Sequence, residues 1–155
     1  RFGLVKALEV HFEELTTRVQ VNKAALSLKF SCEGFGNGRL PEAVAIDLFN
    51  IVHQSVANSL AHSQAKMIMV RLQWRKESLG FSVQDDGIGF DSSGAHKIVE
   101  SGHFGLLNLK LRAERMSGTL SLDSKPGEGT LISGSIPITN DGERLSSKSV
   151  SEYVL

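Results

Sequence analysis

The sequence predicts an α/β fold with three helices and about five strands in a single domain. Three observations support this prediction. Helical and strand periodicities alternate along the chain. The 155 residues are about the length of one ordinary domain, which is enough to bury a hydrophobic core. With 41% hydrophobic and 22% charged residues, the composition is close to the globular average and excludes a disordered or fibrous chain.

Charge and cysteine content exclude several classes of function. The 17 basic residues balance the 17 acidic residues, so we expect no nucleic-acid or membrane binding driven by bulk charge. The lone Cys32 excludes an intrachain disulfide framework and a multi-cysteine zinc site, and it is typical of the reducing cytoplasm. The sequence has no apolar run of the roughly 18 residues that span a bilayer, and no signal-peptide pattern.

The first two predicted elements are a helix and a strand. Residues 3–20 are amphipathic, because apolar residues recur every three or four positions: Leu4, Leu8, Phe12, Leu15 and Val19. Residues 26–32 alternate between apolar and polar side chains, which predicts a half-buried strand. Glycines at positions 34, 36 and 38 end this strand.

The second helix begins near Pro41, which suits the first turn of a helix, and runs to about His62. One face is apolar and predicts a buried stripe of Ala45, Leu48, Phe49, Val52, Val56 and Leu60. The opposite face is polar and carries Asp47, Gln54, Asn58 and His62. This face is either a solvated surface or a set of oxygen and nitrogen ligands for a cation or a phosphate.

Two strands and a long loop follow the second helix. Residues 68–74 and 79–84 each alternate between apolar and polar side chains, as strands do. Residues 86–102 keep no period, and a loop of this length in a compact domain is usually a functional lid or disordered. Nine of the fifteen glycines fall between Gly80 and Gly129, which indicates a backbone that approaches a ligand closely.

The last predicted elements are a helix over residues 106–116 and a hairpin. The hairpin strands cover residues 120–122 and 131–136 and meet at a Pro-Gly-Glu-Gly turn. The chain turns polar after this hairpin. We therefore expect the folded domain to span residues 1–137 and a disordered tail to span residues 138–155.

One carboxylate and two glycines predict a ligand site at the end of a strand. Asp85, Gly87 and Gly89 come directly after residues 79–84. The carboxylate can accept a hydrogen bond from an exocyclic amine while the glycine backbone passes close to a flat ligand. Alternatively the segment is only a tight turn, for which Asp-Gly is a strong signal.

Two further glycine clusters lie near predicted element ends. Gly102 and Gly105 precede the third helix, whose free backbone amides can hold phosphate, although Gly105 can equally be only a helix breaker. Gly127, Gly129 and Thr130 precede the last strand.

Taken in order, these residues resemble the ATP-binding fold of sensor histidine kinases, gyrase-type topoisomerases, Hsp90 and mismatch-repair MutL proteins. Four motifs carry the resemblance: Asn58 on a helix, Asp85-x-Gly87-x-Gly89, Gly102-x-x-Gly105-Leu106 and Gly127-x-Gly129-Thr130. Residues 105–118 are similar to bacterial sensor kinases that are paired with LuxR-type response regulators. The resemblance covers residues 3–137.

The resemblance implies a two-layer α/β sandwich of the Bergerat type, with three helices on one face of a mixed sheet of about five strands. It implies that ATP and Mg²⁺ bind between the helices. Asp85 would accept the adenine amino group, and Gly87 and Gly89 would let the loop approach the base. Gly129 and Thr130 would close the pocket at the adenine end.

At the phosphate end the resemblance assigns other residues. Asn58 would bind the Mg²⁺ that bridges the phosphates, because a hard cation prefers oxygen ligands. His62 would line the pocket near the phosphates or the ribose, unless it is only a capped residue at a helix end. Backbone amides near Gly105 and Leu106, together with the Gly102 motif, would contact phosphate, and residues 90–104 would form a mobile lid.

The sequence departs from the family pattern at two positions. Gln54 stands where the family usually has a glutamate that acts as a general base or polarises the metal. An amide takes up no proton at neutral pH, although it can orient a metal-bound water. Ala61 stands where a basic residue is common. These departures predict weakened catalysis with adenine recognition intact.

The family's phosphoacceptor histidine is followed by an acidic residue, and no histidine here fits that pattern: His11, His53, His62, His96 and His103. We therefore expect the acceptor to lie on an upstream dimerisation domain, in a kinase that signals to a response regulator. Gln54 favours an alternative, an ATP-binding sensing or scaffold domain without phosphotransfer. A serine kinase of the anti-sigma-factor type is disfavoured by the Arg112-Ala-Glu-Arg115 helix.

Overall fold

Three helices and five strands make up the described part of the chain. The computed structural model describes residues 3–22, 26–34, 40–93 and 104–138. The helices are α1 (Gly3–Asn22), α2 (Glu42–His62) and α3 (Phe104–Arg115). The strands are β1 (Ser27–Glu33), β2 (Met67–Trp74), β3 (Ser78–Asp85), β4 (Thr119–Ser124) and β5 (Thr130–Pro137). Every helix and strand predicted from the sequence is confirmed, with ends that differ by one or two residues at most.

The five strands form one mixed sheet in the order β1-β2-β3-β5-β4. β1 and β2 are parallel, and all other neighbours are antiparallel. A parallel pair needs a crossover connection, and α2 lies on that connection. The register places Asp85, at the end of β3, opposite Thr130 at the start of β5. The end of β3, the middle strand of the sheet, therefore lies beside the start of β5.

The helices cover one face of this sheet, as the family resemblance implies. Alternate side chains of β2 and β3 enter the core and are at most 3% exposed: Ile68, Val70, Leu72, Leu79, Phe81 and Val83. From α2, Leu48, Val52 and Val56 join the same core, in agreement with the predicted stripe. None of the helices in the described ranges is long and apolar enough to cross a membrane.

Part of the predicted buried stripe of α2 is wrong. Three of its members are only half-buried: Ala45, Phe49 and Leu60. Ile51 and Ser55 are fully buried instead. The reason is that α2 packs against α1 and α3 as well as against the sheet, so it buries more of its circumference than one apolar stripe.

A second correction concerns Asp47, which the sequence places on the polar face of α2. Asp47 is only 9% exposed and forms ion pairs with two arginines of α3. Arg112 Nη1 lies 3.2 Å from Asp47 Oδ1, and Arg115 Nε donates to Asp47 Oδ2 at 3.0 Å. These bonds hold the end of α3 against the first half of α2. Asp47 therefore positions a helix and does not line the cavity described below.

Three sequence predictions fall partly or wholly outside the described residues. The predicted tail lies outside them from residue 139 onward. The predicted lid over residues 90–104 is described only at 90–93 and at its last residue. Gly102 of the Gly102-x-x-Gly105-Leu106 motif also lies outside.

Candidate functional site

A cavity of about 330 Å³ opens between the second half of α2, the end of β3 and the start of α3. This volume is at the lower end of the range for small-molecule sites. The fold brings together seven of the predicted site residues in its lining: Asn58, His62, Asp85, Gly89, Gly105, Leu106 and Thr130. Gln54, Gly87 and Gly129 are not part of the lining.

Asp85 is a buried carboxylate in the wall of this cavity, with 5% of its surface exposed. Ser59 Oγ donates a hydrogen bond to Asp85 Oδ2 at 2.6 Å, and the Gly87 backbone N–H donates to Oδ1 at 2.9 Å. Each carboxylate oxygen can accept about two hydrogen bonds. Asp85 is therefore held in place by the protein and still has acceptor capacity for a ligand amine.

Asp86 has a different role, although it is the next residue. It is exposed, and its Oδ1 accepts hydrogen bonds from the backbone N–H groups of Met67 and Lys66 at 2.9 and 2.8 Å. The Met67 amide is the main reason why the pKa of Asp86 is held below its ordinary value. Asp86 thus fixes the start of β2, whereas Asp85 lines the cavity.

Two glycines let backbone segments meet closely near the Asp85 end of the cavity. A Cβ atom on Gly87 would overlap the Ser63 carbonyl oxygen, and Ile88 N–H donates to that same oxygen at 2.7 Å. Gly129 has a φ of +75°, and a Cβ atom there would overlap the Asp85 carbonyl oxygen. Both glycines therefore support the position of Asp85 from outside the lining.

The other end of the cavity brings amide side chains of α2 close to the start of α3. Asn58 lines the cavity here. Gln54 Nε2 lies 2.8 Å from the point that a Cβ atom on Gly105 would occupy, and Asn58 Nδ2 lies 3.9 Å from it. Any larger residue at 105 would displace Gln54. Free backbone amides in the first turn of a helix can bind phosphate, so this end suits an anionic group.

The charge of the lining is small. Of the described residues that form it, none is Lys or Arg, and Asp85 is the only carboxylate. The described part of the chain also contains no cluster of three or more histidine, cysteine or acidic side chains suited to a metal ion. Asn58 offers an amide oxygen, which suits Mg²⁺ only if phosphates and waters complete its coordination.

Sequence reasoning missed a row of three serines, two on α2 and one directly after its last residue. Ser55, Ser59 and Ser63 are all buried and line the cavity. They recur at spacings of four, each directly after Gln54, Asn58 or His62, and that repeat is visible in the sequence. The repeat does not predict a buried face, because serine is not an apolar residue. It does not predict a binding site either, because a single serine is not a specific ligand signal.

Ser124 is a second missed residue, at the end of β4. It is 3% exposed, and its Oγ accepts a hydrogen bond from Phe90 N–H and donates one to the Gly129 carbonyl oxygen, both at 2.9 Å. Ser92 Oγ donates to the Ser124 carbonyl oxygen at 2.9 Å. Phe90 and Ser92, at the start of the segment predicted as a lid, are therefore bonded to β4.

Comparisons with known proteins agree with this fold. Residues 43–140, more than half of the chain, match the family described as histidine kinase-, DNA gyrase B- and HSP90-like ATPase. The chain is 35% identical to an uncharacterised sensor-like histidine kinase of Chloroflexus aurantiacus over 86% of its own length. It is 31% identical to the signal transduction histidine-protein kinase/phosphatase DegS of Bacillus subtilis over 88% of its length. The chain spans only 23% and 34% of the lengths of these two relatives.

Solved structures give the same result for the fold. A histidine kinase domain from a blue-light activated kinase of Erythrobacter litoralis superposes with a TM-score of 0.68. The superposition covers 88% of this chain and 63% of that chain, at 17% sequence identity. The shared architecture is therefore that of a histidine kinase domain.

Proposed function

This chain belongs to the histidine kinase-, DNA gyrase B- and HSP90-like ATPase family, as an ATP-binding sensor kinase domain, and we propose that it transfers the γ-phosphoryl group of ATP to a histidine. The acceptor histidine would lie on a dimerisation domain outside residues 1–155. A response regulator would then receive the phosphoryl group. The bond between the γ-phosphorus and the β,γ-bridging oxygen breaks, a bond to an imidazole nitrogen forms, and the imidazole proton leaves to solvent.

The observation that carries the proposal is the buried Asp85 carboxylate at one end of the cavity. Adenine presents an exocyclic amine, which is a hydrogen-bond donor that a fixed carboxylate can accept. Gly89 and Thr130 line the same end and leave room for a flat base. This arrangement supports binding of adenine there, with the phosphates directed towards Asn58 and the start of α3.

The residues at the phosphate end fit Mg²⁺ bound together with a nucleotide. Asn58 would supply one oxygen ligand, and the phosphates and waters would supply the others. The described lining has no Lys or Arg to balance the negative charge of the phosphates. When bound, Mg²⁺ would neutralise part of that charge. The backbone amides at Gly105 and Leu106 would orient the phosphates.

Gln54 determines the rate that we expect for phosphoryl transfer. Its amide can hold a water or an acceptor group in position but takes up no proton at neutral pH. Phosphoryl transfer depends mainly on positioning and on charge stabilisation, so it can proceed without a general base. We propose a working but slow kinase.

A second function is favoured by the same residue. A domain that binds ATP as a sensor or scaffold needs the base end of the cavity but needs no proton acceptor beside the phosphates. Gln54 and the absence of a second carboxylate from the described lining both suit this alternative.

Phosphotransfer to a separately produced dimerisation domain of the full-length protein separates the two functions. With labelled ATP, the kinase proposal predicts acid-labile phosphate on that domain and none on the isolated chain, since no histidine here precedes an acidic residue. ATP binding without transfer to the supplied domain would support the sensor alternative. Label on the isolated chain would contradict the assignment of the acceptor.

A further inference from the structure

We infer that Ser59 is a positioning residue that orients the Asp85 carboxylate and thereby sets the preference for 6-amino over 6-oxo purines. The inference rests on the proposed nucleotide site and extends it to a residue that the family motifs do not include. Ser59 is 8% exposed, lies one position after Asn58 on α2, and lines the cavity. Its hydroxyl bonds directly to Asp85 and so links α2 to that carboxylate.

Two protein donors fix the plane of the Asp85 carboxylate. The terminal torsion of an aspartate is broad, so a carboxylate with a single partner can rotate. Here Gly87 N–H holds Oδ1 and Ser59 O–H holds Oδ2, at 2.9 and 2.6 Å. With both oxygens held, the remaining lone pairs keep fixed directions. Hydrogen bonds to a charged group are about twice as strong as neutral ones, so Ser59 is an effective restraint.

The hydroxyl protons around this end of the cavity are all committed to protein acceptors. Ser59 donates to Asp85, and Ser63 Oγ donates to the Ser59 carbonyl oxygen. Ser124 uses its one proton on the Gly129 carbonyl oxygen, so the 2.9 Å contact between Ser124 and Thr130 needs the Thr130 proton. These hydroxyl oxygens and Asp85 therefore offer acceptors, and a base must bring the donor.

This pattern distinguishes the two kinds of purine. The 6-amino group of adenine donates to the fixed carboxylate. The 6-oxo group of hypoxanthine is a hydrogen-bond acceptor and would face the acceptor oxygens of the site. The buried polar atoms would then have no partner, and sites built to hydrogen-bond a donor discriminate strongly against such a ligand. If the Ser59 hydroxyl is removed, the Asp85 carboxylate can rotate away from the 6-oxo group of hypoxanthine. The unfavourable contact with hypoxanthine then weakens, and so does the hydrogen bond to the adenine amine.

The test compares the affinities of ADP and IDP, each with Mg²⁺, by calorimetry on three proteins. For the unmodified chain we expect ADP to bind at least about a hundredfold more tightly than IDP. In Ser59→Ala, ADP affinity should fall about tenfold and IDP affinity should change less than about twofold. The ADP-to-IDP ratio should therefore fall about tenfold. Alanine favours the helix more than serine, so this variant should fold.

Ser55→Ala is the matched comparison. It removes a hydroxyl from the same helix and the same cavity wall, but this hydroxyl donates to the Ile51 carbonyl oxygen at 2.7 Å. We expect its ADP-to-IDP ratio to stay that of the unmodified chain. An equal loss for ADP and IDP in Ser59→Ala, or no loss, would overturn the inference alone. An unmodified chain that bound neither nucleotide would overturn the proposed function as well.

Discussion

The two ends of the cavity are built in different ways. At the base end, Asp85 is buried and both of its oxygens have protein donors, while Gly87 and Gly129 fit against neighbouring backbone. At the end proposed for the phosphates, Asn58 lines the cavity and Gln54 lies beside Gly105 outside the lining, and both side chains are neutral amides. In the proposed orientation of the nucleotide, folding therefore fixes the groups that recognise the base before the ligand binds, whereas the phosphate end depends on groups that the ligand and its metal supply. Changes at the two ends should alter different measurements.

The largest expected effect is a gain of activity at the phosphate end. If the domain is a working kinase, Gln54→Glu restores a proton acceptor and should raise phosphotransfer to a supplied dimerisation domain by about 100-fold. ATP affinity should change little, because the proposal places adenine at the other end of the cavity. Gln84→Glu makes the same chemical change at an exposed position of β3 and should have no effect. A Gln54→Glu protein no faster than the unmodified chain would rule out a proton-transfer role at this position.

The largest expected loss of affinity is at the base end. Asp85→Asn turns one acceptor oxygen into a donor that faces the adenine amine, which should weaken ADP binding about 10- to 100-fold. Asp86→Asn is the matched control, because this neighbouring carboxylate is exposed and accepts hydrogen bonds from the backbone N–H groups of Lys66 and Met67, where β2 begins. We expect unchanged ADP affinity in that variant. Equal affinities of all three proteins in calorimetry would remove Asp85 from the site.

Removing Mg²⁺ should affect only the phosphate end. Since the described lining has no Lys or Arg, we expect EDTA to weaken ATP binding by about tenfold. Adenosine has no phosphate, so its affinity should change less than about twofold. Competition against a fluorescent nucleotide can measure both ligands in the two buffers. A metal effect of the same size on adenosine would contradict the division of the cavity into two ends.

The smallest expected effect on binding comes from the support of α3. Asp47→Asn weakens its bonds to Arg112 and Arg115, whose side chains are 34% and 36% exposed, so solvent screening limits the loss. We expect the free energy of unfolding to fall by about 1–2 kcal/mol in urea titrations. Nucleotide affinity should fall less than about threefold, because only the position of α3 is affected.

An exposed ion pair provides the comparison for Asp47. Glu9 pairs with Lys6 at 3.5 Å, and both side chains are about half exposed. Glu9→Gln should change the free energy of unfolding by less than about 0.5 kcal/mol. If Asp47→Asn destabilised the protein no more than Glu9→Gln, the ion pairs of Asp47 between α2 and α3 would not contribute to stability.

The sequence predicts the residues whose role depends on local pattern. Asp85 and Gly89 could be found because they follow a strand with a two-residue period and precede an aperiodic segment. Leu48 and Val52 could be placed in the core by helical spacing alone. The order of the helices and strands along the chain likewise follows from the helical and strand periodicities.

Other roles depend on partners that are distant in sequence. Asp47 is paired with Arg112 and Arg115, which come 65 and 68 residues later, and a charged residue on a helix is otherwise expected to be exposed. Ser59 matters because β3 brings Asp85 within 2.6 Å of it. Such contacts are products of tertiary packing, and no periodicity in the sequence encodes them.

A crystal structure of the chain with Mg²⁺ and a non-hydrolysable ATP analogue tests the two-ended account most directly. The account predicts the adenine amine within about 3.2 Å of an Asp85 carboxylate oxygen, which is hydrogen-bond distance. It also predicts the phosphates between Asn58 and the backbone amides of Gly105 and Leu106. A nucleotide bound in the reverse direction, with phosphates beside Asp85, or one bound outside this cavity, would contradict it.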